Sequence, residues 1–273
     1  MQGQLSNDLR LLTPSRAQIS SYSNPKGRML AVLHLIRSGE ALLLEVHRSV
    51  AEATLKRLRM FVMRAKVTLE LDPGLSALGL IGAELLSQLD LPAPSEPLEC
   101  SARDGLVLMR RAGALPRWSL HGPLEQLATL AAKLPAGDFA DWKRAELRAG
   151  VPTVYPDSRE LFVPQMANLD ALGGISFNKG CYTGQEIVAR LHYLGQLKRR
   201  MFLCHAAVAE PRPGTPVYDG AGDAQAVGEV VDAVADGDAS LLNVVLQLSH
   251  AGSTQLRLGA VDGPALGPAQ ALI

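Results

Sequence analysis

From residue 196 to the end, the chain has a texture that suits a small antiparallel β domain. Short Val- and Leu-rich runs at 200–205, 216–218, 227–234, 241–248 and 255–258 are separated by Asp-Gly and Gly-Asp turn signals. Segments this short, punctuated this regularly, return on one another as strands. A small barrel or sandwich is the usual result. The first 195 residues have a different texture, so a domain boundary is expected close to residue 196.

In that first region, residues 1–9 are turn and short-helix material, and Asn24-Pro25-Lys26-Gly27-Arg28 is a turn. Apolar strands are predicted at 29–36 and 41–47, joined as a hairpin through Ser38-Gly39-Glu40. Ser49 and Glu52 have capping-box spacing and open a predicted helix through Leu55, Leu58 and Phe61. Residues 67–71 alternate like a half-buried strand, 75–81 form another, and a helix is predicted near 83–89. Residues 90–99, with three prolines, form a loop before strands at 105–110 and 117–120. Pro123 suits the first helical position of a helix reaching Lys133, and Asp138 caps a helix carrying Trp142 that stops at Gly150. The order of elements predicts the α+β class.

At 273 residues, 47% of them apolar, the chain can build more than one core. Lys and Arg number 27, as do Asp and Glu, which argues against a protein built mainly to hold nucleic acid. Three widely spaced cysteines, Cys100, Cys181 and Cys204, show neither a metal-ligand spacing nor a disulfide framework. No metal site is expected, and a reducing compartment suits such thiols. No run approaches the roughly 18 apolar residues of a membrane helix, and no signal or transit segment is recognised. A soluble, cytoplasmic protein without a membrane partner is expected. The six histidines are scattered without ligand spacing and are assigned ordinary strand or surface roles.

Cys181 has the most unusual setting. A short strand is predicted at 175–177 and a turn at 178–180. Thr183 and Glu186 have capping-box spacing for a helix through Ile187, Val188 and Leu191. The thiol would then sit just ahead of a helix N-terminus, with Lys179 two residues away, and both effects favour a thiolate. The alternative is a buried structural cysteine, the role given to Cys100 and Cys204.

The run at 162–177 leading into Lys179-Gly180-Cys181-Tyr182-Thr183-Gly184-Gln185-Glu186 resembles the signature of the YgfZ family. These are folate-binding proteins related to the aminomethyltransferase (T-protein) of the glycine cleavage system. Residues 1–8, Lys26-Gly27-Arg28 and Ala149-Gly150-Val151-Pro152 agree in order and spacing. The resemblance spans essentially the whole chain. It implies a cloverleaf of two α+β lobes (residues 1–195) and a C-terminal β-barrel (196–273) around a central channel that binds tetrahydrofolate. It also implies a role in assembly or repair of iron–sulfur clusters, including those of radical enzymes that methylthiolate tRNA. The partners would then be transient, iron–sulfur enzymes or cluster-assembly proteins, with no direct nucleic-acid contact required.

By the same resemblance, Cys181 is the reactive group, with Lys179 and Tyr182 beside it, Tyr182 packing over the thiol. Trp142 matches one of two folate-contacting tryptophans, a core position being the alternative. Lys26 and Arg28 could attract the folate tail or be solvated turn charges, and Gln185 and Glu186 are set beside them as cofactor-side residues, Glu186 also as the cap partner of Thr183. The family's leading strand, a Gly-x-Asp turn and the second tryptophan are not found ahead of residues 1–4. Transferase relatives place an acidic residue in a strand matching residues 29–34, which here holds no carboxylate. That weakens the alternative, a folate-dependent aminomethyltransferase or other one-carbon transferase. A third reading is a non-catalytic scaffold using the basic run at Lys198, Arg199 and Arg200.

Overall fold

Three antiparallel sheets organise the chain, seen here in a computed structural model that describes residues 1–63, 65–89, 91–220 and 225–272. The first sheet is ordered β1 (Gln18–Ser23), β2 (Met29–Ser38), β3 (Ala41–Val46). The β1–β2 turn is held by Asn24, whose Oδ1 accepts from the backbone N–H groups of Lys26 (2.9 Å) and Arg28 (3.0 Å). Gly27 supplies the positive φ of +70° that the turn requires. Two residues, Gly39 and Glu40, join β2 to β3 and pair Ser38 with Ala41. A two-residue loop sets the register of every pair behind it.

Helix α1 (Arg48–Arg59) covers this sheet through Val50, Ala51, Thr54 and Leu58. Its cap is the His47 side chain, which accepts from the Ser49 N–H, and not the expected Ser49–Glu52 box. Residues 67–71 join no ladder. The Leu69 carbonyl accepts from Arg59 Nε at 2.8 Å, so alternation without a neighbouring strand leaves only an extended segment.

The second sheet is ordered β4 (Leu75–Ile81), β7 (Arg117–Pro123), β6 (Leu106–Arg110), β5 (Cys100–Arg103). The helix expected near 83–89 is a 3-10 helix, Ala83–Gln88. Helix α2 (Leu124–Ala131) starts one residue after Pro123. Helix α3 (Phe139–Arg148) is capped by Asp138, whose Oδ1 accepts from Ala140 N–H at 2.9 Å. Gly150, at φ +66°, follows the C-cap.

An irregular stretch then leads to helix α4 (Gln185–Tyr193). The strand expected at 175–177 does not form. Ser176 instead donates its backbone N–H to Ser6 O at 3.0 Å.

The third sheet runs β12 (Leu256–Leu258), β9 (Pro216–Asp219), β10 (Ala226–Asp236), β11 (Ala239–Gln247), β8 (Arg199–Ala206), β13 (Gln270–Ala271). The expected runs are therefore strands. Their ladder does not close into the expected barrel, because β12 and β13 are its edges. The connecting segment touches both, through Leu266 N–H to Leu256 O and Gly267 N–H to His205 O. The Gly222-Asp223 turn signal lies outside the described residues.

A central core joins the parts. Met201, Val231 and Val245 of the third sheet pack with Ile19 and Met29 of the first, Val151, Phe162 and Leu169 of the irregular stretch, and Val188 of α4. Each fully buried side chain of this kind contributes roughly 1.5–3 kcal/mol.

Candidate functional site

A cavity of about 350 Å³ opens where β2, β3, α3, residues 151–155 and β10 meet. In the β2–β3 hairpin, His34 pairs directly with Glu45, so both side chains project from one sheet face into this space. Helix α3 contributes Phe139, Trp142, Lys143 and Glu146, spaced to lie along one side of a helix. On β10 a register shift between Val230 and Asp232 re-aims the strand, and Asp232 completes the wall.

A chain of charges backs the cavity. Glu45 meets Arg111 at 2.9 Å, Arg111 meets Glu146 at 2.9 Å, and Arg117 also pairs with Glu146. Arg111 and Arg117 are buried, so each guanidinium depends on these carboxylates. Burial pushes the Glu45 carboxyl up, but Arg111 and the neighbouring histidines outweigh it and hold the group down at about 2. Burial, with Arg111, brings His34 down to about 4, and burial also lowers His121. At neutral pH the site therefore presents ionised carboxylates beside neutral imidazoles.

Trp142 is fixed from behind. The Arg111 and Arg117 guanidinium groups stand 5.7 and 5.1 Å from the centre of its ring. A Cβ on Gly79 of β4 would come within 2.7 Å of the indole, so only glycine leaves room for the ring there. The result is a rigid aromatic wall beside two carboxylates.

The other expected site residues gather elsewhere, around the thiol loop. Cys181 is exposed, whereas burial pushes the Cys100 thiol up to about 11 and Cys204 up to about 12. The Lys179 ammonium is buried and donates to the carbonyls of Gln2 (2.7 Å), Leu5 (2.6 Å) and Asn7 (2.8 Å). All three of its donors are thus engaged by the N-terminal segment. Burial lowers the amine to about 8, which leaves it protonated at neutral pH. Tyr182 is buried with its ring 5.0 Å from the ammonium, and burial pushes its hydroxyl up to about 12.

Thr183 does not cap α4. Its N–H donates to Gly3 O, and Glu186 pairs with Arg190 at 2.6 Å. The N-cap is Gly184, at φ +84°, where a Cβ would fall 2.6 Å from Asn24 O and 2.8 Å from Gly27 Cα. That close approach brings the turn bearing Lys26 and Arg28 against the thiol loop just ahead of Gln185. Arg28 donates to Leu161 O, and Lys26 is exposed. Among the sequence-predicted site residues, Trp142 alone lines the cavity.

Not singled out by their local sequence, His34, Glu45, His47, Arg111, Lys143, Glu146, Tyr155 and Asp232 also line the cavity. His34 and His47, assigned ordinary roles, line the cavity. A signal existed for the pair on the hairpin. A two-residue loop at Gly39-Glu40 makes His34 and Glu45 cross-strand partners. Residues 29–34 hold no carboxylate, and Glu45 of the adjacent strand lines the cavity beside His34. Among the described residues, no three His, Cys, Asp or Glu side chains gather as metal ligands, and no helix is long and apolar enough to cross a membrane.

The fold is that of the glycine cleavage aminomethyltransferases. The crystal structure of glycine cleavage system aminomethyltransferase T from Bartonella henselae superposes with a TM-score of 0.73 over 98% of this chain and 78% of that one, at 16% identity. No family model matches the sequence. The tRNA-modifying protein YgfZ of Colwellia psychrerythraea is 33% identical over 219 residues, covering 77% of this chain and 67% of the relative. That of Edwardsiella ictaluri is 34% identical over 212 residues, covering 74% and 63%. The chain belongs to the YgfZ family, and its matched region spans about two thirds of the length of these relatives.

Proposed function

We propose that this protein binds tetrahydrofolate in the cavity and acts, through Cys181, as an accessory factor for iron–sulfur enzymes of tRNA modification. The observation that carries the folate reading is Trp142, held rigid against Gly79 beside Glu45 and Glu146. A reduced pterin offers several N–H donors and a broad face. Carboxylates accept such donors, and a fixed indole supports stacking. The cavity volume falls within the range of small-molecule sites. Bound there, the folate would supply one-carbon chemistry or serve as a ligand that signals its own presence.

The link to tRNA modification rests on the names of the relatives. Cys181 is the one thiol in the chain that is exposed. Lys179 and Tyr182 hold its loop, while Lys26, Arg28, Gln185 and Glu186 build the surface around it. One thiolate is short of the four that iron–sulfur clusters usually require. A cluster is therefore cargo here, shared with the client enzyme. The test is Cys181→Ala in cells. Loss of client-enzyme activity with tetrahydrofolate binding retained is expected, and full activity of the variant would refute the thiol role.

A one-carbon transferase is the second reading, and Glu45 is the observation that favours it. Tetrahydrofolate-dependent release or transfer of formaldehyde by the purified protein, lost in Glu45→Gln, would place this reading first.

A further inference from the structure

We infer that Lys143, with His47, is a carboxylate-reading subsite of the cavity and makes the protein select the glutamate-bearing form of its pterin ligand. This rests on the folate reading of the cavity. Glu146 and Lys143 lie three positions apart on α3, yet they serve different walls. Glu146 turns to Arg111 and Arg117 beside the second sheet, whereas Lys143 turns to Asp232 of the third sheet. The cavity therefore has an acceptor wall at Glu45 and Glu146 and a separate cationic group at Lys143.

The donor count decides what Lys143 can take. Its ammonium carries three N–H groups. One meets Asp232 Oδ1 at 2.9 Å, the ammonium stands 5.7 Å from the centre of the Tyr155 ring, and the other two N–H groups have no hydrogen-bond partner among the described residues. Asp232 is already covered. Its Oδ2 accepts from the Tyr155 hydroxyl at 2.9 Å and its Oδ1 from the Ala233 N–H at 2.8 Å. His47 leans on the Tyr155 ring at 4.6 Å between centroids, and its Nδ1 is engaged by Ser49. Its Nε2 has no hydrogen-bond partner among the described residues. The unused groups at this wall are two charged donors and one imidazole nitrogen, a set that suits an anionic acceptor. Trp142 and Lys143 line the same cavity, so a ligand whose ring stacks on the indole shares that space with this ammonium.

The test compares tetrahydrofolate with tetrahydropteroate, which lacks the glutamate, by tryptophan-fluorescence titration of the full chain. The wild-type protein is expected to prefer tetrahydrofolate by about ten- to a hundredfold, the scale of one charge-assisted contact. Lys143→Gln should erase the preference while leaving tetrahydropteroate affinity within about twofold. Because that variant strands a buried carboxylate, Lys143→Gln/Asp232→Asn provides a neutral pair with the same expectation. Asp232→Asn alone frees the ammonium and should widen the preference. Equal binding of the two compounds by wild type, or a preference surviving in the Lys143→Gln proteins, overturns the subsite while the folate reading stands. If neither compound binds wild type, the folate reading falls and takes this inference with it.

Discussion

Gly79 and Trp142 touch so closely that the position of one sets the position of the other: a Cβ on Gly79 would lie 2.7 Å from Trp142 Cε3 and 2.9 Å from Cζ3. Gly79 pairs with Ser119 inside the second sheet, where alanine is acceptable to the backbone. Its substitution therefore acts on the indole and not on strand conformation.

Gly79→Ala should push Trp142 into the cavity. Tetrahydrofolate affinity is expected to fall by tenfold or more, and overpacking should cost about 1–3 kcal/mol of stability. Titration and thermal melting of the same variant separate the two effects. Unchanged affinity would show that the ring position is unimportant for binding.

Lys179→Met removes a buried ammonium and leaves three carbonyls without their donor. A loss of about 1–3 kcal/mol is expected from leaving buried carbonyls without their charged donor. The N-terminal segment should become more susceptible to limited proteolysis, a readout that thiol activation by Lys179 would not predict.

The three cysteines should separate by exposure. In the native protein a charged alkylating reagent should modify Cys181 alone, with Cys100 and Cys204 reacting only after denaturation. Mass mapping of modified peptides checks this, and early labelling of Cys204 would contradict its burial.

Acid should destabilise the fold before carboxylates titrate. His34 is neutral in the folded state down to about pH 4, while its ordinary value is 6.5. Between those values the unfolded chain binds the extra proton, so stability falls as pH drops from about 6.5 towards 4. The loss approaches about 3 kcal/mol for this group. Glu45 adds a further loss below 4.5, where its unfolded form takes up a proton that the folded form refuses until about pH 2. Chemical denaturation of wild type and His34→Gln at pH 7.0 and 5.0 should show a smaller pH effect in the variant.

Much of the scaffold is legible from residue pattern. The hairpin at Gly39-Glu40, the Asp138 cap and the strands after residue 198 follow from short-range rules that act within a few residues. Errors fall where a distant partner decides. Thr183 has the spacing of a cap but gives its backbone to Gly3, and Ser176 looks strand-like but meets Ser6. Residues 67–71 alternate correctly yet find no strand to pair with. The site divides in the same way. Trp142 and Cys181 stand out locally, whereas Asp232 reaches the cavity only because β10 bulges beside it. Lys179 lies two residues from Cys181 in sequence, and its long side chain goes to carbonyls over 170 residues away.

That last connection has a kinetic meaning. The Lys179 anchor joins positions separated by 172 to 177 residues, so it closes a loop holding both of the first two sheets. Contacts of such long range form after local ones, once the entropy of closing the loop has been met. Until the N-terminal segment has docked, the carbonyls that hold Lys179 are not in place and the loop bearing Cys181 lacks this anchor. The native conformation of that loop is thus a report that the molecule is complete.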